Sequence, residues 1–451
     1  MKQIQLHLLL FVLILIRSAT GGTLASAQES ITLEQAVNTA LNQHPALKSS
    51  ALSVEIADEQ LTADKSALIP DVSSEISLQR NLIIPSTPVP LNEITGQGDP
   101  TELSYVKFGT DWQSNLGLLL RYDLFNPTRK QQILAGEESR KLAELDHDAR
   151  EAQVKIEVIK AYAELVLASE QLKYAKEDTL YNSLQLLDAR ERFNEGRLKA
   201  NDLNEANIRL SRSVIHFDQA RSVYDQARIE LAYRMGLAPD QGTLPQAADS
   251  LETLLHHFQG TDLPGTVPEN TNGFMRLQTQ ALHDSLQLQN TRLMLLPTLS
   301  LNAGYGTNFY QNELQPFNTD NWYGNSFVAL SLNIPLTREI TTHHHISRAK
   351  LELDQRVADL QDFKNRREAD LQKYMRELQQ YEKELEQRAS ETALTDKNLA
   401  FTREEYEAGR VLASELHQAK LSRENARVSY LQAAYNYIVT SLQLKDLMEV
   451  R

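Results

Sequence analysis

The stretch FNEGRLKANDLNEANI at residues 193–208 returns as YEAGRVLASELHQAKL at residues 406–421. An aromatic residue, a Gly-Arg pair, an acid and several small or apolar residues keep register: Phe193/Tyr406, Gly196/Gly409, Arg197/Arg410, Ala200/Ala413, Asp202/Glu415, Leu203/Leu416 and Ala206/Ala419. An internal repeat of this kind decides how a chain is divided before any single element is assigned. In each copy the Gly closes a run free of Gly and Pro, residues 137–195 and 347–408. At 1.5 Å per residue each run is a helix about 90 Å long. Gly at the end of a helix supplies the left-handed conformation that turns the chain back. The chain then returns as a shorter helix, Asp202 to Met235 and Glu415 to Met448. Each copy is a helical hairpin.

The long helices repeat their apolar positions by seven. Leu145, Ala152, Ile159, Val166, Leu180 and Leu187 share one phase, broken by Lys173. Val357, Leu371, Leu378, Leu385, Leu399 and Tyr406 share another, broken by Lys364 and Thr392, with Tyr374 and Tyr381 in the companion position. Sustained heptads predict helices packed side by side as a coiled coil.

Upstream of each hairpin a helical pattern stops at Pro, in Leu68-Ile69-Pro70-Asp71-Val72-Ser73 and in Leu295-Leu296-Pro297-Thr298-Leu299-Ser300. Pro lacks an N–H and drives its predecessor out of the helix. Alternation begins there and predicts strands at about 71–81, 112–125, 298–310 and 322–334. In the second, Trp112, Ser114, Leu116, Leu118, Leu120, Tyr122 and Leu124 alternate with Gln113, Asn115, Gly117, Leu119, Arg121, Asp123 and Phe125. Strands of about ten residues, apolar on one face and polar on the other, suit a membrane β-barrel. Trp112, Tyr122, Trp322 and Tyr323 near strand ends suit an interfacial belt. A soluble β-sandwich also alternates. Against it, four strands cannot close a barrel or cover both faces of a sandwich, and Arg121 and Asp123 suit a wet lumen. Lipid cannot satisfy two bare sheet edges, so closure must come from further copies. Two copies would supply eight strands and three copies twelve, both compatible with barrel rules.

Composition narrows the function. The formal charge of −14 argues against a nucleic-acid partner, which needs a basic stripe. With no cysteine, disulfides, thiolate chemistry and a lipidated N-terminal Cys are excluded. Mean hydropathy is −0.42, so this is not a helical membrane protein. Lys2, the apolar run Leu6–Ile16 and Ala25-Ser26-Ala27 read as an export signal over residues 1–27, with a mature start near Gln28. The first repeat is expected over 28–237 with its tip at 196–201, a connecting linker over 238–270 outside the helices, and the second repeat over 271–451 with its tip at 409–414. No nucleotide, triad or zinc motif appears, so neither an enzyme nor a cofactor is expected. His343-His344-His345 is expected to splay around a turn and not to converge on a metal.

The opening Thr32-Leu33-Glu34-Gln35-Ala36 with His44-Pro45, the Leu-Pro junctions, the duplicated halves and the two Gly turns together resemble the TolC-like outer-membrane efflux family. The resemblance covers the chain beyond the signal. It implies an α+β fold built from a duplicated unit of helical hairpin and strand pair. Three copies would close one outer-membrane β-barrel, surrounded by lipid and continued by a long periplasmic α-helical barrel. It also implies a passive duct fed by a periplasmic adaptor and an inner-membrane pump, with substrate choice left to the pump. Tyr406 matches a tip tyrosine that holds the entrance shut, Asp202 an acid that pairs with a tip arginine, and Glu415 an acid ring that narrows the pore. Two positions depart: the family arginine falls at Val411, with Arg410 one residue early, and a second acid is replaced by Gln418. Gly196, Arg197 and Leu198, with Gly409, Arg410 and Val411, are expected to form adaptor-docking turns. Leu198 and Val411 are expected there as exposed apolar knobs. Asp202 and Glu415 also suit the helix dipole or a cap, which needs no partner. The rival readings are a periplasmic adaptor, which has one hairpin set between β-rich flanks, and a coiled-coil scaffold. The long connections Ile83 to Gly109 and Gln311 to Asn321 are expected outside the cell.

Overall fold

The computed structural model describes residues 30–90, 101, 103–238, 244–259 and 266–449. The export signal and parts of the first long connection and of the linker lie outside the described residues. In chain order the elements are β1 (Ser30–Ile31), α1 (Leu33–Gln43), α2 (Pro45–Ser66), β2 (Asp71–Arg80), β3 (Ser86–Pro90), β4 (Leu103–Lys107), β5 (Trp112–Phe125), α3 (Arg129–Asn194), α4 (Ala200–Arg234), β6 (Gln246–Ala247), α5 (Leu251–Phe258), α6 (Asn272–Leu293), β7 (Thr298–Gln311), β8 (Trp322–Asn333), α7 (Arg338–Glu407) and α8 (Ala413–Met448). They divide into two compact units. One comprises Val54–Ala143 and Leu277–Asp359, and the other holds the remainder.

In the first of these units the strands form one antiparallel sheet in the order β2-β5-β7-β8. The four strands stand within a residue or so of the expected positions. The first connection is more regular than expected. Part of it is a hairpin in which β3 pairs with β4, although β3 contains Pro88 and Pro90. Those prolines share one parity, so both missing N–H groups can lie along the free edge of a two-stranded ribbon, where no bond is lost. Helix α3 starts at Arg129 and runs through Gly136, earlier than the Gly-free run predicts. A Cβ at Gly136 would stand 2.9 Å from Asp64 Oδ2 and 3.2 Å from Leu61 Cδ1. Close packing on α2 therefore outweighs the low helix propensity of Gly, about 1 kcal/mol.

The other unit is helical. Its core gathers Val154, Val158, Tyr162, Leu165 and Val166 of α3, Leu231 of α4, Leu254 of α5 and Ile438 of α8. Thr32 and Gln35 form a capping box at the start of α1, which satisfies two otherwise orphaned N–H groups. The linker is docked where it is described. Leu251, Leu254, Leu255 and Phe258 of α5 all enter the core. β6 pairs in parallel with β1. The buried Arg228 guanidinium donates to the Leu244 carbonyl at 2.7 Å and the Pro245 carbonyl at 3.0 Å. The Tyr162 hydroxyl donates to Asp249 at 2.7 Å, and the same carboxylate accepts from the Leu33 amide at 2.9 Å. Burial, with the Asp249 carboxylate, pushes the Tyr162 phenol well above its ordinary value, so it stays a neutral donor. Lys364, one of the heptad breaks, is bound to Glu269 at 3.0 Å and lies over the Phe274 ring. The break thus marks a tether and not a gap in packing.

Candidate functional site

Two surfaces invite function, the faces of the sheet and the tips of the hairpins. In the sheet, strand pairing carries side-chain parity across all four strands. Leu118 stands between Ser74 and Tyr305, and Leu120 between Val72 and Ala303. Leu301 faces Leu330, and Leu299 faces Leu332. The result is one apolar face that nothing among the described residues covers: Ile76, Tyr305 and Val328 are each at least 75 % exposed. An apolar surface this continuous marks contact with lipid or a partner.

The opposite face is mostly polar, with Leu119 and Phe327 standing among its asparagines, serines and glycines. Asn115 Nδ2 donates to Asn308 Oδ1 at 3.1 Å, and Asn302 Nδ2 to Ser331 Oγ at 3.2 Å. Gly117 pairs with Gly306, where an added Cβ would stand 2.6 Å from the Leu116 carbonyl oxygen. The two backbones pass too closely on this side for a side chain at Gly306, so glycine is required there. At one end Arg80 lies over the Trp112 ring at 5.3 Å. Trp322 packs at a tilt of 44° against the buried Phe309 and donates to the Pro316 carbonyl at 2.8 Å. These are aromatic residues with one polar handle each, the type that lipid interfaces select. Among the described residues, strands β2 and β8 each keep one unpaired edge.

The tips are built alike. Gly196 has φ +72° and Gly409 φ +71°. The Gly196 amide donates to the Phe193 carbonyl at 2.9 Å and the Arg197 amide to Arg192 at 2.8 Å. Gly409 and Arg410 make the matching bonds to Tyr406 and Glu405 at the same distances. Both turns are Schellman motifs. An added Cβ at either Gly meets nothing within 4 Å, so the positive φ alone demands Gly there.

The tip residues singled out from sequence divide on inspection. Asp202 and Glu415 are exposed in the first turns of α4 and α8, and neither helix has a side-chain cap bond. Arg197 pairs with Glu195 beside it. Arg410 is exposed, and its side chain makes no hydrogen bond or ion pair among the described residues. Tyr406 is half-buried beside Tyr181 of α3, whose phenol is pushed up by burial, with Arg403 opposing the shift. Within the protomer these side chains do not assemble into an ion-paired gate. The expected knobs need correction: Leu198 and Val411 are half-buried, and the exposed apolar tip residue is Leu412, 68 % exposed. Leu198 and Val411 precede the N-caps Lys199 and Leu412. That position ordinarily packs on the fourth helical residue, here Leu203 and Leu416.

A polar cluster behind the tip escaped sequence reading. Lys420 of α8 is buried against Asp178 and bonded to Asn182 Oδ1 at 3.0 Å. One heptad further, Arg427 bonds Glu177 of α3 and Asp396 of α7, both at 3.2 Å, under the Tyr174 ring. The available signal was a heptad phase in which Lys420 and Arg427 precede Ala434, Ser441 and Met448.

One chain thus carries a sheet that is apolar on one face, polar on the other and unpaired at both edges among the described residues, together with two helical hairpins. Residues 36–237 match the outer membrane efflux protein family. The outer membrane protein TolC of Vibrio cholerae is 21 % identical over 327 residues, covering 71 % of this chain and 68 % of that protein. The fold is similar to the Campylobacter jejuni CmeC outer membrane channel, with TM-score 0.75, 18 % identity and coverage of 92 % of this chain and 85 % of that one. It is also similar to CusC, with TM-score 0.74, 17 % identity and coverage of 94 % and 95 %. By these matches the chain is similar to the outer membrane efflux proteins and shares the fold of outer-membrane channels.

Proposed function

We propose that three copies of this chain close a twelve-stranded barrel in the outer membrane and form a passive duct without catalysis. In this reading an adaptor docks on the hairpin tips and delivers what an inner-membrane pump expels. The observation that carries the reading is the sheet, with one face apolar in register over four strands and two edges that only further strands can satisfy. Three copies, and not two, follow from the resemblance to TolC-like channels. Both long strand connections then face the exterior, with the tips in the periplasm. Purified protein is expected to give discrete conductance steps in planar bilayers. Whole cells should label at a cysteine placed at Phe317, 98 % exposed, without breakage of the outer membrane. A soluble periplasmic protein with no conductance would instead favour the adaptor or scaffold reading.

The gate and docking roles follow from the same reading. Tyr406, Asp202, Arg410 and Glu415 line the entrance, where Arg410, unpaired within its own protomer, meets Asp202 of a neighbouring copy. Gly196, Arg197, Leu198, Gly409 and Val411 shape the docking turns, and Leu412 supplies the exposed contact. Leu412→Asp is expected to lower adaptor capture by tenfold or more, about 1.4 kcal/mol, while trimer yield stays unchanged. Unaltered capture by this variant would leave the tips as turns only.

A further inference from the structure

Asp178, Asn182, Lys420 and Glu424 bring charge from both repeats into one packed place. Lys420 is buried with its ammonium on Asp178 and 3.0 Å from Asn182 Oδ1. Its nitrogen is 3.8 Å from Glu424 and lies over the Tyr181 ring at 4.7 Å. Asn182, itself buried, donates to Asp178 at 3.2 Å. One cation therefore serves two carboxylates. The repeat does not impose this arrangement: where α8 has Lys420 and Glu424, α4 has Asn207 and Ser211 in register, both exposed. We propose that Asp178, Lys420 and Glu424 form a proton-dependent clasp that holds the hairpin of the second repeat on the hairpin of the first.

With a proton on Glu424 the site is balanced, one ammonium against one carboxylate. Without it a second negative charge is confined beside Asp178, and like charges in a desolvated place repel strongly. Burial, then the Asp178 carboxylate, push Glu424 up to about 7, with Lys420 opposing. The surroundings do not supply an obvious rescue. On α3 stand Glu177 and Tyr181, and on α7 Asp396 and Arg403. Arg427 is committed to Glu177 and Asp396, and Arg403 lies over Tyr181. On α8, Arg423 favours the charged form. Arg209 of α4 faces His417, whose imidazole is held below its usual value by burial and by Arg209 and Lys420.

The sign follows from linkage. The closed clasp binds the Glu424 proton more tightly than an exposed carboxyl does, so the clasp is favoured at low pH. That advantage is complete below about 4.5 and is lost as pH rises through about 7. Glu424 is half-exposed, so solvent screening limits the expected change in local opening to about tenfold between pH 5.5 and pH 8.

Hydrogen exchange on the full-length assembled protein tests the clasp, with rates corrected for the intrinsic pH effect. In the wild type, protection of backbone amides in residues 416–428 is expected to fall about tenfold from pH 5.5 to pH 8. Glu424→Gln is expected to remove the difference, and His417→Gln to keep it. Equal protection of the wild type at both pH values overturns the proposal without any variant. So does a Glu424→Gln protein that retains the full pH dependence.

Discussion

Leu118→Arg is expected to abolish insertion of the channel into the outer membrane, whereas Leu119→Arg, one residue along, leaves insertion intact. Leu118 is 54 % exposed on the apolar face, between Ser74 and Tyr305. Leu119 points to the polar face, between Ser73 and Gly304. An arginine on the lipid face near the midplane of a barrel costs about 2–4 kcal/mol, and a lumen-facing one costs little. Symmetry multiplies the cost by the number of copies, which approaches the whole stability of an ordinary domain, about 5–15 kcal/mol. The measurement is the amount of folded oligomer in purified outer membranes. Equal loss in both variants would mean that the faces are not assigned to lipid and lumen as proposed.

Gly236→Ala is expected to destabilise the helical unit far more than Gly409→Ala. Their backbones are nearly the same, with φ +77° and +71°. The strain of a left-handed alanine is therefore common to both, about 1–2 kcal/mol. Their surroundings differ. A Cβ at Gly409 meets open space, but at Gly236 it would stand 2.7 Å from His44 Cα and 3.1 Å from His44 N. Backbone cannot rotate aside as a side chain does, so overpacking adds about 1–3 kcal/mol. Thermal unfolding followed by helical circular dichroism should show a clear drop for Gly236→Ala and a small one for Gly409→Ala. Equal shifts would mean that the α4 terminus has room to move away from His44.

Several features could be read from the chain alone because they depend on short-range physics. The Schellman turns at Gly196 and Gly409 need only a residue that tolerates positive φ, and an aligned repeat makes that need visible twice. The lipid and lumen faces follow from a period of two, and Leu118 and Leu119 could be assigned before any pairing was known. Other features could not. Helix α3 continues through Gly136 because α2 passes too close for a side chain, and Leu61 is far away in sequence. Leu198 and Val411 looked like exposed knobs because the sequence names a residue but not the neighbour that covers it.

What this sequence determined by itself is therefore its periodicity: heptads that make hairpins, alternation that makes two-faced strands, and Gly and Pro that place the boundaries. These are properties of each segment, set by sterics and by the wish of apolar groups to leave water. What only the tertiary structure decided is where distant segments meet. It brought α5 of the linker into the helical core and tied Asp249 to Tyr162 and Leu33. It also set the cations of α8 facing inward, so that Lys420 meets Asp178 of the other repeat. Such contacts join residues far apart in the chain, Tyr162 and Asp249 by 87 positions and Leu33 and Asp249 by 216, and their energy depends on burial and distance, which no local pattern encodes.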